Sequence, residues 1–200
     1  MKAIYFDLDG TLLEFKKKYP EIVAECLSEM NKNQPEKLAG EYCETFSDIF
    51  ENQGENPYYK AAESVVNNPE HLLKILKTNE ISNMKMKNDV KSDIKMISKE
   101  YEIGVLTDGL KDWQKDKLKY FGLYNLFDTF IASYETGSFK SGLEPYRVAE
   151  QRIKADEYAM VGDSVKSDVK AAKEFGWSSY HYTGERFRDI PNKIDWIDDY

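Results

Sequence analysis

Ala3-Ile4-Tyr5-Phe6-Asp7-Leu8-Asp9-Gly10-Thr11-Leu12 is the stretch from which the fold can be read. Four apolar residues of β-branched and aromatic character make a buried strand, and two carboxylates, a glycine and a threonine follow where that strand must stop. A sheet interior would not tolerate Asp7 unpaired, whereas the carboxyl end of a parallel strand, where open α/β sheets leave a crevice, does. Two acids one residue apart suit a division of labour. One attacks an electrophile and carries it covalently, while the other manages the leaving group's proton. Gly10 lets the chain turn sharply and the Thr11 hydroxyl can hold the loop. Without further signals the same residues read as an Asx-rich turn capping a core strand.

Those further signals lie beyond Asn88, where strand and helix patterns alternate. Val90, Ile94 and Ile97 make a helix, and Ile103-Gly104-Val105-Leu106 is a short buried strand ending at Thr107-Asp108-Gly109. The Thr107 hydroxyl and the backbone N–H groups around Gly109 can hold phosphoryl oxygens where a helix starts, here over 112–121. A third strand covers 127–132. The loop from Tyr134 to Gly142 then offers Lys140 as a fixed cation for carboxylates and a phosphoryl group, although such a lysine is commonly just a solvated surface residue. Helix 144–154 leads to a fourth strand, 158–162, ending in Asp163-Ser164-Val165-Lys166-Ser167-Asp168. Carboxylates from two neighbouring strands are the hard oxygen donors that Mg2+ accepts. A fifth strand covers 177–182, and the residues to 200 read as loop or short helical tail.

Between Leu13 and residue 87 the period is helical throughout. Ile22, Val23, Cys26, Leu27 and Met30 recur at three and four, as do Leu38, Tyr42, Phe46, Ile49 and Phe50. Pro20, Pro35, Pro57 and Pro69 open successive runs as first-turn prolines do, with Asn56 and Asn68 at N-cap positions. Four amphipathic helices make a bundle inserted into an α/β chain. The expected domains are a core of 1–14 and 88–200 and a helical domain of 15–87.

Composition narrows the classes of function. Twenty-eight basic against thirty-six acidic residues give a net charge of -8, which argues against a nucleic-acid backbone as partner but not against a phosphate ester beside a cation. No apolar run approaches a membrane span and no charged-then-apolar leader precedes the first strand, so the expected location is the cytoplasm. Cys26 and Cys43 form no C-x-x-C pair, and neither His71 nor His181 stands beside a nucleophile. Carboxylates must carry the chemistry.

Asp7-Leu8-Asp9-Gly10-Thr11 resembles the first signature of the haloacid dehalogenase-like superfamily, most of whose members are Mg2+-dependent phosphatases with an aspartate nucleophile. Thr107-Asp108-Gly109 is similar to the second, with Asp108 where the family often has Asn. Gly137-Ser138-Phe139-Lys140 is similar to the third, although Ser141-Gly142 follows in place of the family's proline, which keeps Arg147 as an alternative cation. Gly162-Asp163-Ser164 with Asp168 is similar to the fourth. The resemblance implies a Rossmann-like parallel sheet in the order 3-2-1-4-5 and a helical cap that closes over the site and chooses the substrate. It also implies that Asp7 attacks phosphorus and that Asp9 is acid and then base. Thr107, Asp108, Gly109 and Lys140 would hold the phosphoryl group, and Mg2+ would be held by Asp7, the Asp9 carbonyl and Asp163, supported by Asp168. A small phosphomonoester is the expected substrate. A phosphosugar mutase shares all these residues; a haloacid dehalogenase has no chemical use for Asp9, since a halide leaves without a proton; a binding protein without turnover has no reason to hold uncancelled acids together.

Overall fold

The computed structural model describes residues 1–52 and 54–196. Its contacts divide the chain into two units, Met1–Glu14 with Met86–Tyr200, and Phe15–Lys85.

The first unit is built on a parallel sheet of five strands: β1 (Lys2–Phe6), β4 (Glu102–Thr107), β5 (Thr129–Ala132), β6 (Glu157–Gly162) and β7 (Ser178–His181). Their order across the sheet is β5-β4-β1-β6-β7, the 3-2-1-4-5 arrangement expected when the core strands alone are counted. Helices α5 (Val90–Ile97), α6 (Lys111–Tyr120), α7 (Glu144–Arg152) and α8 (Ala171–Phe175) make the crossovers. Right-handed crossovers bring successive strands back in parallel, with all their carboxyl ends on one edge.

β1 lies in the middle, with Phe6 in register with Val105 on one side and Val161 on the other. Every side chain of Ala3–Phe6 is buried, as a strand covered on both faces requires. Tyr5 packs at a tilt against Trp177, ring centroids 5.3 Å apart, and its buried hydroxyl is satisfied by donating to the Ala149 carbonyl at 2.8 Å. Phe6 meets Phe127 and Phe187 at 6.3 and 6.1 Å.

The second unit holds four helices, α1 (Tyr19–Glu29), α2 (Pro35–Glu51), α3 (Pro57–Val65) and α4 (Pro69–Ser82), each with proline in its first turn. The Asn56 and Asn68 side chains accept from the backbone N–H of Tyr59 and His71 and so cap α3 and α4. Tyr42, Phe46 and Phe50 stack at helical spacing along α2, and Tyr58 of α3 meets Phe46 edge-on at 4.9 Å.

Some boundaries differ from the sequence reading. Leu13–Phe15 is a strand, β2, paired with β3 (Met84–Met86), not part of the helical run; three-residue strands leave no period to detect. β5 begins at Thr129: the Asp128 N–H still donates to the Ile103 carbonyl at 2.9 Å, but the Ile103 N–H is taken by the Asp128 carboxylate at 2.9 Å and not by a further backbone carbonyl. The loop after β5 contains two 3-10 turns, Ser133–Thr136 and Lys140–Gly142, and a π-helical turn, Val165–Lys170, precedes α8. The tail, read as loop or short helix, contains short helical turns, 3-10 at Phe187–Asp189 and Pro191–Lys193, and its last residues, 197–200, lie outside the described residues. Among the described residues no helix is long and apolar enough to cross a membrane.

Candidate active site

Asp7 follows the last residue of the central strand, and its N–H donates to the Val161 carbonyl of β6 at 2.9 Å. The strand pairing therefore fixes its backbone. Its carboxylate is buried, and Lys140 Nζ lies 2.5 Å from Asp7 Oδ1 and 2.6 Å from Asp168 Oδ1. One ammonium thus joins side chains from the end of β1, the loop after β5 and the π-helical turn after β6.

Each partner is held locally. The Lys140 N–H donates to Asp108 Oδ1 at 2.9 Å, which ties its loop to the end of β4. Asp168 Oδ2 accepts from the Ser164 N–H at 2.9 Å. The Tyr146 hydroxyl donates to the Ser167 carbonyl at 2.7 Å, and burial pushes its phenol up, so it stays a neutral donor.

Burial pushes the Asp7 carboxyl well above the usual carboxylate range, with Lys140 pulling against that and Asp168 adding to it. Burial alone would lower Lys140, yet Asp168 and Asp7 outweigh it and hold the ammonium well above its ordinary range. Lys140 therefore stays charged, and the negative charge around it is what the site has in excess.

Asp163 contributes the rest of that excess. The Thr11 hydroxyl donates to Asp163 Oδ1 at 3.2 Å and accepts from the Asp163 N–H at 3.1 Å, and His181 Nε2 lies 3.1 Å from the Asp163 carbonyl. Gly10, at φ +96°, lies so close that a Cβ there would run into the Asp163 carboxylate. Only glycine adopts that conformation and leaves that room. Asp7, Asp163 and Asp168 bring carboxylate oxygens within 4.8 Å of one another. Fully ionised, three carboxylates against one ammonium would leave two negative charges on hard oxygen donors, a balance that a divalent cation such as Mg2+ would restore.

Asp9 points elsewhere. Its Oδ2 accepts from Gln114 Nε2 at 2.8 Å and from Lys117 Nζ at 2.7 Å, both on α6. Gln114 also reaches Thr107 Oγ1 at 3.2 Å and the Asp108 carbonyl at 2.7 Å, so Thr107 and Asp9 share one amide. Gly109 turns the chain at φ +130° just before α6.

Six of the expected side chains thus lie in one connected set: Asp7, Lys140 and Asp168 by ion pairs, Asp108 through the Lys140 N–H, and Asp9 and Thr107 through Gln114. Asp163 joins through the acid cluster. Asp108 uses a carboxylate oxygen on the loop of Lys140, and Asp168 touches Lys140 directly. Arg147, the alternative cation, is exposed and pairs with Glu144 at 2.8 Å, because its position in the first turn of α7 turns it to solvent. Gln114 and Lys117 were missed, since polar residues on a helix normally form its solvated face. Their spacing of three, on the same side of α6, was the available signal.

The family model described as haloacid dehalogenase-like hydrolase matches residues 4–181. A glyceraldehyde 3-phosphate phosphatase of Methanocaldococcus jannaschii is 37% identical over 91 residues, 44% of this chain and 40% of that protein. The chain thus spans less than half the length of this curated relative. Among solved structures, a HAD phosphatase from Thermococcus onnurineus superposes with a TM-score of 0.64 at 23% identity, covering 93% of this chain and 89% of the other. L-2-haloacid dehalogenase from Xanthobacter autotrophicus gives 0.67 at 16% identity, covering 95% and 80%. At these identities the structural likeness speaks for the fold.

Proposed function

Because the chain belongs to the haloacid dehalogenase-like hydrolases, we propose that it is a Mg2+-dependent phosphatase that hydrolyses a small phosphomonoester through an aspartyl phosphate on Asp7. The observation that carries this reading is the buried Lys140 ammonium between Asp7 and Asp168, with Asp163 in the same acid cluster. A buried nucleophile, a fixed cation and an uncancelled negative charge are what transfer of an anionic phosphoryl group requires.

Asp7 attacks phosphorus, forming a carboxyl O–P bond as the ester P–O bond breaks. The departing alkoxide takes a proton from Asp9. Asp9 then removes a proton from water, which attacks the same phosphorus, frees inorganic phosphate and restores the Asp7 carboxylate. Lys140, the Thr107 hydroxyl and the N–H groups at Asp108 and Gly109 hold the phosphoryl oxygens. Asp7, the Asp9 carbonyl and Asp163 would hold Mg2+, with Asp168 fixed behind them by Ser164 and Lys140. When bound, the cation would neutralise charge between nucleophile and phosphate. Substrate choice is assigned to the helical domain of 15–87.

Asp9 argues for an ester over a carbon–halogen bond, because a halide needs no proton on leaving. The archaeal relative named glyceraldehyde 3-phosphate phosphatase supports a small phosphomonoester as substrate. The test is phosphate release from a panel of phosphomonoesters with Mg2+, against an EDTA control and the Asp7→Asn variant. We expect release that EDTA and the variant both abolish. Undiminished turnover by Asp7→Asn, or isomerisation of a sugar phosphate without release, would overturn the proposal.

A further inference from the structure

We propose that Gln114 and Lys117 are positioning residues for Asp9, clamping its Oδ2 so that Oδ1 is the atom that gives and takes the proton. The inference rests on the phosphatase reading of the site.

Lys117 is 3% exposed and Gln114 2%. A buried ammonium costs several kcal/mol of desolvation, so a chain that needed only a packed helix would be served better by an apolar residue there. Lys117 instead lies 2.7 Å from Asp9 Oδ2, and Gln114 donates to that same oxygen at 2.8 Å. Two donors on one oxygen fix the rotation of the carboxylate. The other oxygen, Oδ1, is buried and has no hydrogen-bond partner among the described residues. Buried polar atoms are normally paired, so an unpaired oxygen two residues along the chain from Asp7 marks a place kept for a group that arrives with the substrate.

The clamp also sets where Oδ1 stands. Gln114 bonds Thr107 Oγ1 and the Asp108 carbonyl as well as Asp9, so the orientation of Asp9 is referred to the strand end proposed to bind phosphoryl oxygens. Proton donor and phosphoryl cradle are thereby held in one frame, which is what general acid catalysis needs from geometry.

The test compares first-turnover rates, under rapid mixing with Mg2+, for two esters. The leaving group of p-nitrophenyl phosphate needs no proton, whereas that of a short alkyl phosphate does. In Lys117→Met we expect the first turnover of the alkyl ester to slow by about 100-fold, in the range general acid catalysis supplies, and that of the aryl ester by only a few-fold. Aryl turnover then shows a burst followed by a slower steady state, since Asp9 must also activate water. Gln114→Leu, which removes one donor and keeps the ion pair, should show the same pattern with a loss of about 10-fold. On an Asp9→Asn background, Lys117→Met should change neither ester's rate by more than about two-fold, because a residue acting through Asp9 has nothing left to position. Equal slowing of both esters, or a full further loss on the Asp9→Asn background, would overturn the inference while leaving the phosphatase reading intact. Release undiminished in Asp7→Asn would overturn that reading and the inference with it.

Discussion

Replacing Lys140 with methionine preserves side-chain length and deletes a charge that pairs with both Asp7 and Asp168. At 2.5 and 2.6 Å, with an effective dielectric of about 20, each contact represents roughly 6 kcal/mol of attraction. Desolvation of the ammonium offsets several kcal/mol of that, but the variant still has two buried carboxylates and no cation between them. We therefore expect metal-free Lys140→Met to lose about 3–5 kcal/mol at neutral pH, the usual cost of breaking a buried pair from one side. Trp113, Trp177 and Trp196 all lie in the unit of 1–14 and 86–200, so urea denaturation followed by tryptophan fluorescence in EDTA reads the stability of that unit. The deficit has a direction in pH. Asp7 in the folded chain already titrates above its ordinary range because of burial, and removing Lys140 raises it further. A carboxyl raised on folding stabilises below its unfolded pKa and loses that contribution as pH rises through the folded value. The deficit of Lys140→Met should accordingly be small near pH 4 and grow towards neutrality. Adding Asp7→Asn should recover part of it. A deficit under about 1 kcal/mol at neutral pH, or one that does not change with pH, would refute the reasoning.

Two further outcomes follow from the same cluster. Gly10→Ala places a Cβ against the Asp163 carboxylate at a positive φ, so it should cost about 1–3 kcal/mol of stability, and Mg2+ affinity by calorimetry should fall at least about 10-fold. Mg2+ should raise the melting temperature of the wild-type chain by an increment that grows from about pH 4 to neutrality, because the cation competes with protons for the Asp7 carboxyl, which burial holds above the usual carboxylate range. A pH-independent increment would contradict this.

The sheet and most of the acid cluster were legible because Asp7, Asp108 and Asp163 each interrupt an apolar run, and a strand can end in a carboxylate only where something pairs with it. Lys140 could be named from the chemistry of its surroundings, but not its direct contact with Asp168, which depends on a π-helical turn that no local pattern announces. Gln114 and Lys117 escaped for a different reason. On a helix whose other polar residues are exposed or half-buried, only the tertiary partner distinguishes a buried lysine from an exposed one, and that partner, Asp9, is 108 positions away. β2 and β3 escaped because three residues are too few to establish alternation.

The central position of β1 has a bearing on how the chain is made. Its two neighbours are β4 and β6, so the segment Lys2–Phe6, apolar on both faces, cannot be covered until the polypeptide as far as Val161 has emerged from the ribosome. At about 5–20 residues per second, the roughly 150 residues between β1 and β6 take on the order of 8–30 s to synthesise. During that interval a sticky nascent strand is exposed to other chains, and slowing translation before β6 should increase its demand for chaperones.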